Sequence, residues 1–148
     1  MTTIVRNTLL ASLSATLICF GSAIFCVGAS PPAQTTQDGV YTEAQAASGK
    51  KTYNEKCSSC HLESLEGGVN ESPALKGSEF ISHWNGKPLR ALYSRIISTM
   101  PVSDPGSLSE KETLGVVAYI LERNGFPPGK TGLRTADDLN KIQLKSSR

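Results

Sequence analysis

Cys57-Ser58-Ser59-Cys60-His61 decides how this chain is read. Two thiols three positions apart on a helical turn match the two vinyl groups on neighbouring edges of a haem, and each thiol can close a thioether with one of them. The next residue then carries its imidazole over the ring toward the iron. The motif predicts Cys57 and Cys60 as covalent haem anchors and His61 as the proximal iron ligand. Other chemistries fit less well. A thiol redox C-x-x-C belongs in a βαβ setting, and the flanks here read as helical and poor in strands. A zinc site needs four ligands, commonly a second C-x-x-C or paired histidines. The remaining candidates are His83, Cys19 and Cys26, and both of those cysteines lie near the N-terminus.

The 148 residues suffice for one small domain and a leader. Aromatic residues make up 6% of the chain, so the core is modest and a large cofactor would contribute much of it. A formal net charge of +2 without a basic stripe excludes nucleic acid as a partner. At the N-terminus Arg6 precedes an uncharged apolar stretch, residues 8–29, ending in Val27-Gly28-Ala29, which suits signal peptidase. Residues 1–29 are expected to be a signal peptide. The stretch exceeds an ordinary signal core of about 7–15 residues, so an uncleaved anchor of roughly 20 residues is the alternative. Ser12, Ser14, Thr16, Gly21 and Ser22 interrupt it and weigh against the anchor. Either outcome exports the domain, and a periplasmic or otherwise exported location is expected. Membrane contact is expected only with an uncleaved leader.

Residues 30–40, rich in Pro, Gln, Thr and Ala, read as a disordered linker. Thr42 with Gln45 fits a capping box and predicts a helix over residues 43–56. Gly49 in its middle costs about 1 kcal/mol relative to alanine, which implies another backbone close by. Tyr53 lies one turn later on the same face. Residues 62–73 read as loop. Trp84, the sole tryptophan, is expected to have one end in the core and its N–H bonded. Pro88 is expected in the first turn of a helix with Leu89, Leu92, Tyr93 and Ile96 inward, stopped at Met100-Pro101. Ser109 with Glu112 is a second capping box. The helix behind it carries a stripe of Leu114, Val117, Ala118 and Leu121, widened by Val116, Tyr119 and Ile120, and ends at Asn124-Gly125. Residues 127–148 read as a C-terminal tail with one turn near residues 136–141.

The second face of the iron decides the function. Met1 leaves with a cleaved leader, so Met100 is then the sole methionine. It sits at a helix-to-loop break beside a proline, far enough along the chain to return on the opposite side of a haem. Met100 is expected as the sixth ligand, in preference to core filler.

Gly49, Tyr53, the C-x-x-C-H at 57–61, Pro73, Leu75, Trp84, Met100-Pro101 and Tyr119 resemble the class I monohaem cytochrome c family. The match covers residues 41–126. The chain also resembles, less closely, small bacterial cytochromes that accompany quinoprotein dehydrogenases. The resemblance implies an all-α class I cytochrome c fold, with N- and C-terminal helices packed around one covalently bound haem c. It implies that the Pro73 carbonyl accepts the His61 ring N–H, that Leu75 packs on the haem, and that Trp84 approaches a propionate. It implies a monomeric electron carrier, not an enzyme, with a dehydrogenase as donor and an oxidase or another cytochrome as acceptor. The alternatives are a dedicated electron-transfer subunit of a dehydrogenase, and a haem enzyme or gas sensor with an open sixth position.

Overall fold

The computed structural model describes residues 34–146. The export segment expected at residues 1–29 lies outside the described residues. Thr42 opens helix α1 (Glu43–Lys56), its hydroxyl accepting the Gln45 amide at 3.2 Å. The expected capping box is only half made. The Gln45 side chain turns away and forms a two-way bond with the Leu133 backbone, at 2.8 and 2.9 Å. A long-range backbone partner has taken the amide that the local pattern assigned to Thr42.

Helix α2 (Ser58–His61) follows α1 directly and carries the end of the haem motif. Helix α3 (Gly77–Trp84) stands where the sequence reading marked no helix. Its first amide, Gly77 N–H, is accepted by Asn124 Oδ1 at 3.0 Å, so the start signal comes from across the fold and is invisible locally. Helix α4 (Leu89–Thr99) buries Leu89, Leu92, Tyr93 and Ile96 as the apolar spacing predicts. Pro88 is its cap (φ −59°, ψ 139°), not its first helical residue.

Helix α5 (Glu110–Arg123) begins with a complete capping box. Ser109 N–H donates to Glu112 at 2.9 Å and Glu112 N–H to Ser109 Oγ at 3.3 Å. The expected stripe is too narrow, because every residue of 113–121 is buried. Helices α1 and α4 both pack on α5, so no face of its middle remains for water.

The crossing of α1 on α5 is glycine against glycine. A Cβ built on Gly49 would coincide with the Gly115 carbonyl, and one on Gly115 would lie 3.2 Å from Gly49 Cα. The helix cost of Gly49 therefore has the cause the sequence suggested, although Gly115 was not singled out as its partner. One turn on, the rings of Tyr53 and Tyr119 meet at 5.2 Å, tilted by 57°.

The spacer reading does not hold for residues 34–40. Strand β1 (Gln34–Thr35) pairs in parallel with strand β2 (Ile142–Gln143), Gln34 opposite Ile142. Thr36, Val40 and Tyr41 are buried. The tail buries Leu133, Leu139, Ile142 and Leu144, after a 3-10 turn at Asp138–Lys141. Leu144 clasps the turn before α4, accepting Gly86 N–H at 2.7 Å and donating to Lys87 O at 3.0 Å. Composition misled because these segments find their hydrogen-bond partners far away in the chain, in one another and in the turn before α4. No helix of the described residues is long and apolar enough to cross a membrane.

The glycine crossing makes a stability prediction. Gly49→Ala must push the Gly115 backbone away and should cost about 1–3 kcal/mol. It should appear as a lower urea midpoint at unchanged slope; an unchanged midpoint would show that the helices separate freely.

Candidate haem site

The haem motif is built as the last turns of α1 and α2. Cys57 N–H closes α1 on Tyr53 O at 2.8 Å, and His61 N–H closes α2 on Cys57 O at 2.9 Å. Both thiols are free; Cys57 is buried and Cys60 exposed. Burial pushes the Cys57 thiol up to about 11. That direction is opposite to the lowered value of a reactive thiolate.

His61 is 8% exposed. Its Nδ1 lies 2.9 Å from Pro73 O, the contact the resemblance implied. A carbonyl can only accept, so Nδ1 carries a proton, and in the neutral ring the lone pair then lies on Nε2. No described residue makes a hydrogen bond to Nε2. This is the tautomer of a metal-ligating histidine oriented by a backbone carbonyl. Two free thiols in C-x-x-C spacing beside such an imidazole form a donor set that fits covalent haem.

The loop from His61 to Leu75 is tied on both sides. Gly67 N–H reaches His61 O at 3.1 Å, Ser72 Oγ donates to Cys60 O at 2.6 Å, and Leu75 N–H donates to Leu65 O at 2.8 Å. Asn124 holds the far end, its Nδ2 donating to Leu75 O at 2.9 Å while Oδ1 takes Gly77 N–H. In the sequence Asn124-Gly125 signals only a helix stop; an Asn-Gly pair gives no hint of which distant backbone it will bind.

Leu75, Trp84 and Met100 are half-buried on the edge of the core, with Ile81 and Ile97. Trp84 ends α3, with the His83 ring edge-on at 4.9 Å and the Lys87 ammonium 5.2 Å from its centroid. The expected partner for its N–H is not found among the described residues, because half-burial leaves the indole open to water. Met100 caps α4, its N–H on Ile96 O at 2.9 Å. Trp84 and Met100 stand on separate elements and make no hydrogen bond to His61. A cavity of about 580 Å³ between the start of α3 and the end of α5, lined by Lys76, Gly77, Arg123 and Asn124, involves none of the expected haem residues.

Residues 44–120 match the family described as "Cytochrome C oxidase, cbb3-type, subunit III". The chain belongs to this family of class I c-type cytochrome domains. The all-α fold read from the motif and its flanking helices is the one observed. Among solved structures, a chain of the sulfane dehydrogenase SoxCD from Paracoccus pantotrophus is similar, with a TM-score of 0.50 and 20% identity. The likeness is one of fold. It covers 72% of this chain and 61% of that one, so the chain spans about three fifths of its neighbour's length. No curated protein matches. The family binds haem c covalently and works in electron transfer.

Asn124→Ala should loosen both Leu75 and the start of α3, costing about 1–2 kcal/mol. Hydrogen exchange should accelerate at Gly77 before it does in the middle of α5; uniform acceleration would mean that Asn124 acts only as a helix cap.

Proposed function

We propose that the chain is an exported monohaem electron carrier, with haem c held through thioethers to Cys57 and Cys60 and axially by His61 and Met100. The observation that carries this reading is the His61 ring, with Nδ1 on the Pro73 carbonyl and no hydrogen bond to Nε2 among the described residues, directly after the free cysteines Cys57 and Cys60 of the motif. Haem supplies a one-electron couple at its iron.

The chain's own residues do the rest. Pro73 O fixes the tautomer of His61 and makes the imidazole a stronger donor. Met100 would supply a soft, neutral sulfur, a donor that favours ferrous over ferric iron and raises the potential. His61 and Met100 together would leave no open position for a substrate, and the proposed role is transfer, not catalysis. Leu75, half-buried at the edge of the core, would pack against the haem. Trp84 has an indole N–H without a partner among the described residues, which suits a propionate, and Lys87 beside it adds a positive charge. His83 is exposed at the edge of Trp84 and has no part in ligation.

The proposed partners are a dehydrogenase as donor and an oxidase or another cytochrome as acceptor. A dehydrogenase partner is in keeping with the fold likeness to a chain of SoxCD, which also lends support to the second reading, a dedicated subunit docked to such an enzyme. The apolar N-terminal stretch supports export to the periplasm, and the proposed carrier is a monomer.

Haem colour should survive acid and organic extraction of the denatured protein, because both thiols bond it. Met100→Ala should lower the potential and let carbon monoxide bind the ferrous form. Met100→His should lower the potential with the site still closed, and His83→Ala should change neither property. Carbon monoxide binding by the unaltered protein would replace the carrier with a haem enzyme or sensor. Copurification of a dehydrogenase with the native protein would favour the subunit reading.

A further inference from the structure

Leu62, the residue after His61, has φ 61° and ψ 156°. Essentially only glycine visits that region, and a branched residue held there is strained. The residue is 37% exposed, so packing does little to hold it. Hydrogen bonds to its carbonyl must do so. Two donors converge on that oxygen, the Tyr53 hydroxyl at 2.7 Å and the Leu65 amide at 3.1 Å. Leu65 O in turn accepts Leu75 N–H at 2.8 Å, just beyond Pro73. The chain of bonds runs from Tyr53 through Leu62 and Leu65 to Leu75. It joins the His61 end of the loop to the Pro73 end, and so sets the separation across which Nδ1 meets the Pro73 carbonyl.

Tyr53 anchors the His61 end of this chain to helix α1, as Asn124 anchors the Leu75 end to α5. Tyr53 is fully buried, and its ring rests on Tyr119 at the crossing of α1 and α5. Burial, with smaller repulsion from Cys57 and Tyr119, raises its pKa, so the hydroxyl remains a donor. A ring needed only to fill the core would serve as well without an oxygen.

We propose that Tyr53 is a positioning residue for His61: its hydroxyl clamps the Leu62 carbonyl, holds Leu62 in a glycine-type conformation, and so keeps the His61 ring on Pro73. The inference rests on the reading of His61 as the iron ligand, yet the clamp itself can be measured independently of ligation. Loosening it weakens the bond from Nδ1–H to Pro73 O, makes the imidazole a poorer donor, and destabilises the ferric form.

The test uses the holoprotein. Tyr53→Phe should speed exchange of the His61 ring N–H about three- to tenfold, the range of one ordinary hydrogen bond, and should shift the potential upward. In a Leu62→Gly background, where the backbone reaches the same conformation without strain, Tyr53→Phe should lose most of both effects. No change in exchange or potential on Tyr53→Phe overturns the clamp. Equal changes in both backgrounds also overturn it, by reducing Tyr53 to a packing residue. If Tyr53→Phe does not fold, the unaltered protein decides. Its Tyr53 hydroxyl proton should exchange slowly and show proximity to Leu62, and a rapidly exchanging hydroxyl overturns the proposal. A His61 ring proton without a hyperfine shift in the oxidised protein overturns the ligand reading alone, and ring-proton exchange and its rescue then decide the clamp.

Discussion

The contact between the Gly49 and Gly115 backbones is the constraint on which the rest of the structure depends. Neither residue carries a Cβ, so α1 and α5 approach to backbone distance and their following turns are brought together. That closeness seats Tyr53 against Tyr119 and fixes the end of α1, from which Cys57 and His61 continue without an intervening loop. The haem motif is therefore placed by a helix pair and inherits its rigidity. The motif itself is too short to orient anything, since α2 spans only Ser58–His61.

On the Pro73 side, order comes from hydrogen bonds to backbone carbonyls, not from a regular element. Cys60, His61, Leu62, Leu65 and Leu75 each offer a carbonyl to a donor from elsewhere in the loop, from α1 or from the end of α5. Leu62, Leu65, Asn70 and Glu71 all have positive φ without being glycine. Such conformations cost of order 1–3 kcal/mol each and persist only when the surroundings over-determine them. Their concentration beside His61 marks this loop as the place where conformational ease has been given up for the orientation of one ring.

The terminal segments show a different use of tertiary contact. Strands β1 and β2 are too short to exist alone, yet with Leu139, Ile142 and Leu144 they close the fold over the entrance to α4. Arg90 on α4 adds an ion pair to Asp137 at 3.2 Å; it is largely exposed and contributes little by itself. Helix α4 ends at Met100, so the segments that hold its beginning also belong to the frame around the proposed sixth ligand.

What the sequence determined by itself is the chemistry and the helical skeleton. C-x-x-C-H is local covalent geometry, the Ser109 box and the apolar spacing of α4 are local hydrogen bonding and periodicity, and Gly49 announced a close neighbour by its cost in a helix. Only the tertiary structure decided that the neighbour is Gly115, that Gln45 serves Leu133 instead of Thr42, and that Asn124 starts α3. It also decided that the terminal residues pair as strands. Each of these rests on a partner far away in the chain, and a residue's own propensity carries no record of which distant donor or acceptor the fold will bring to it.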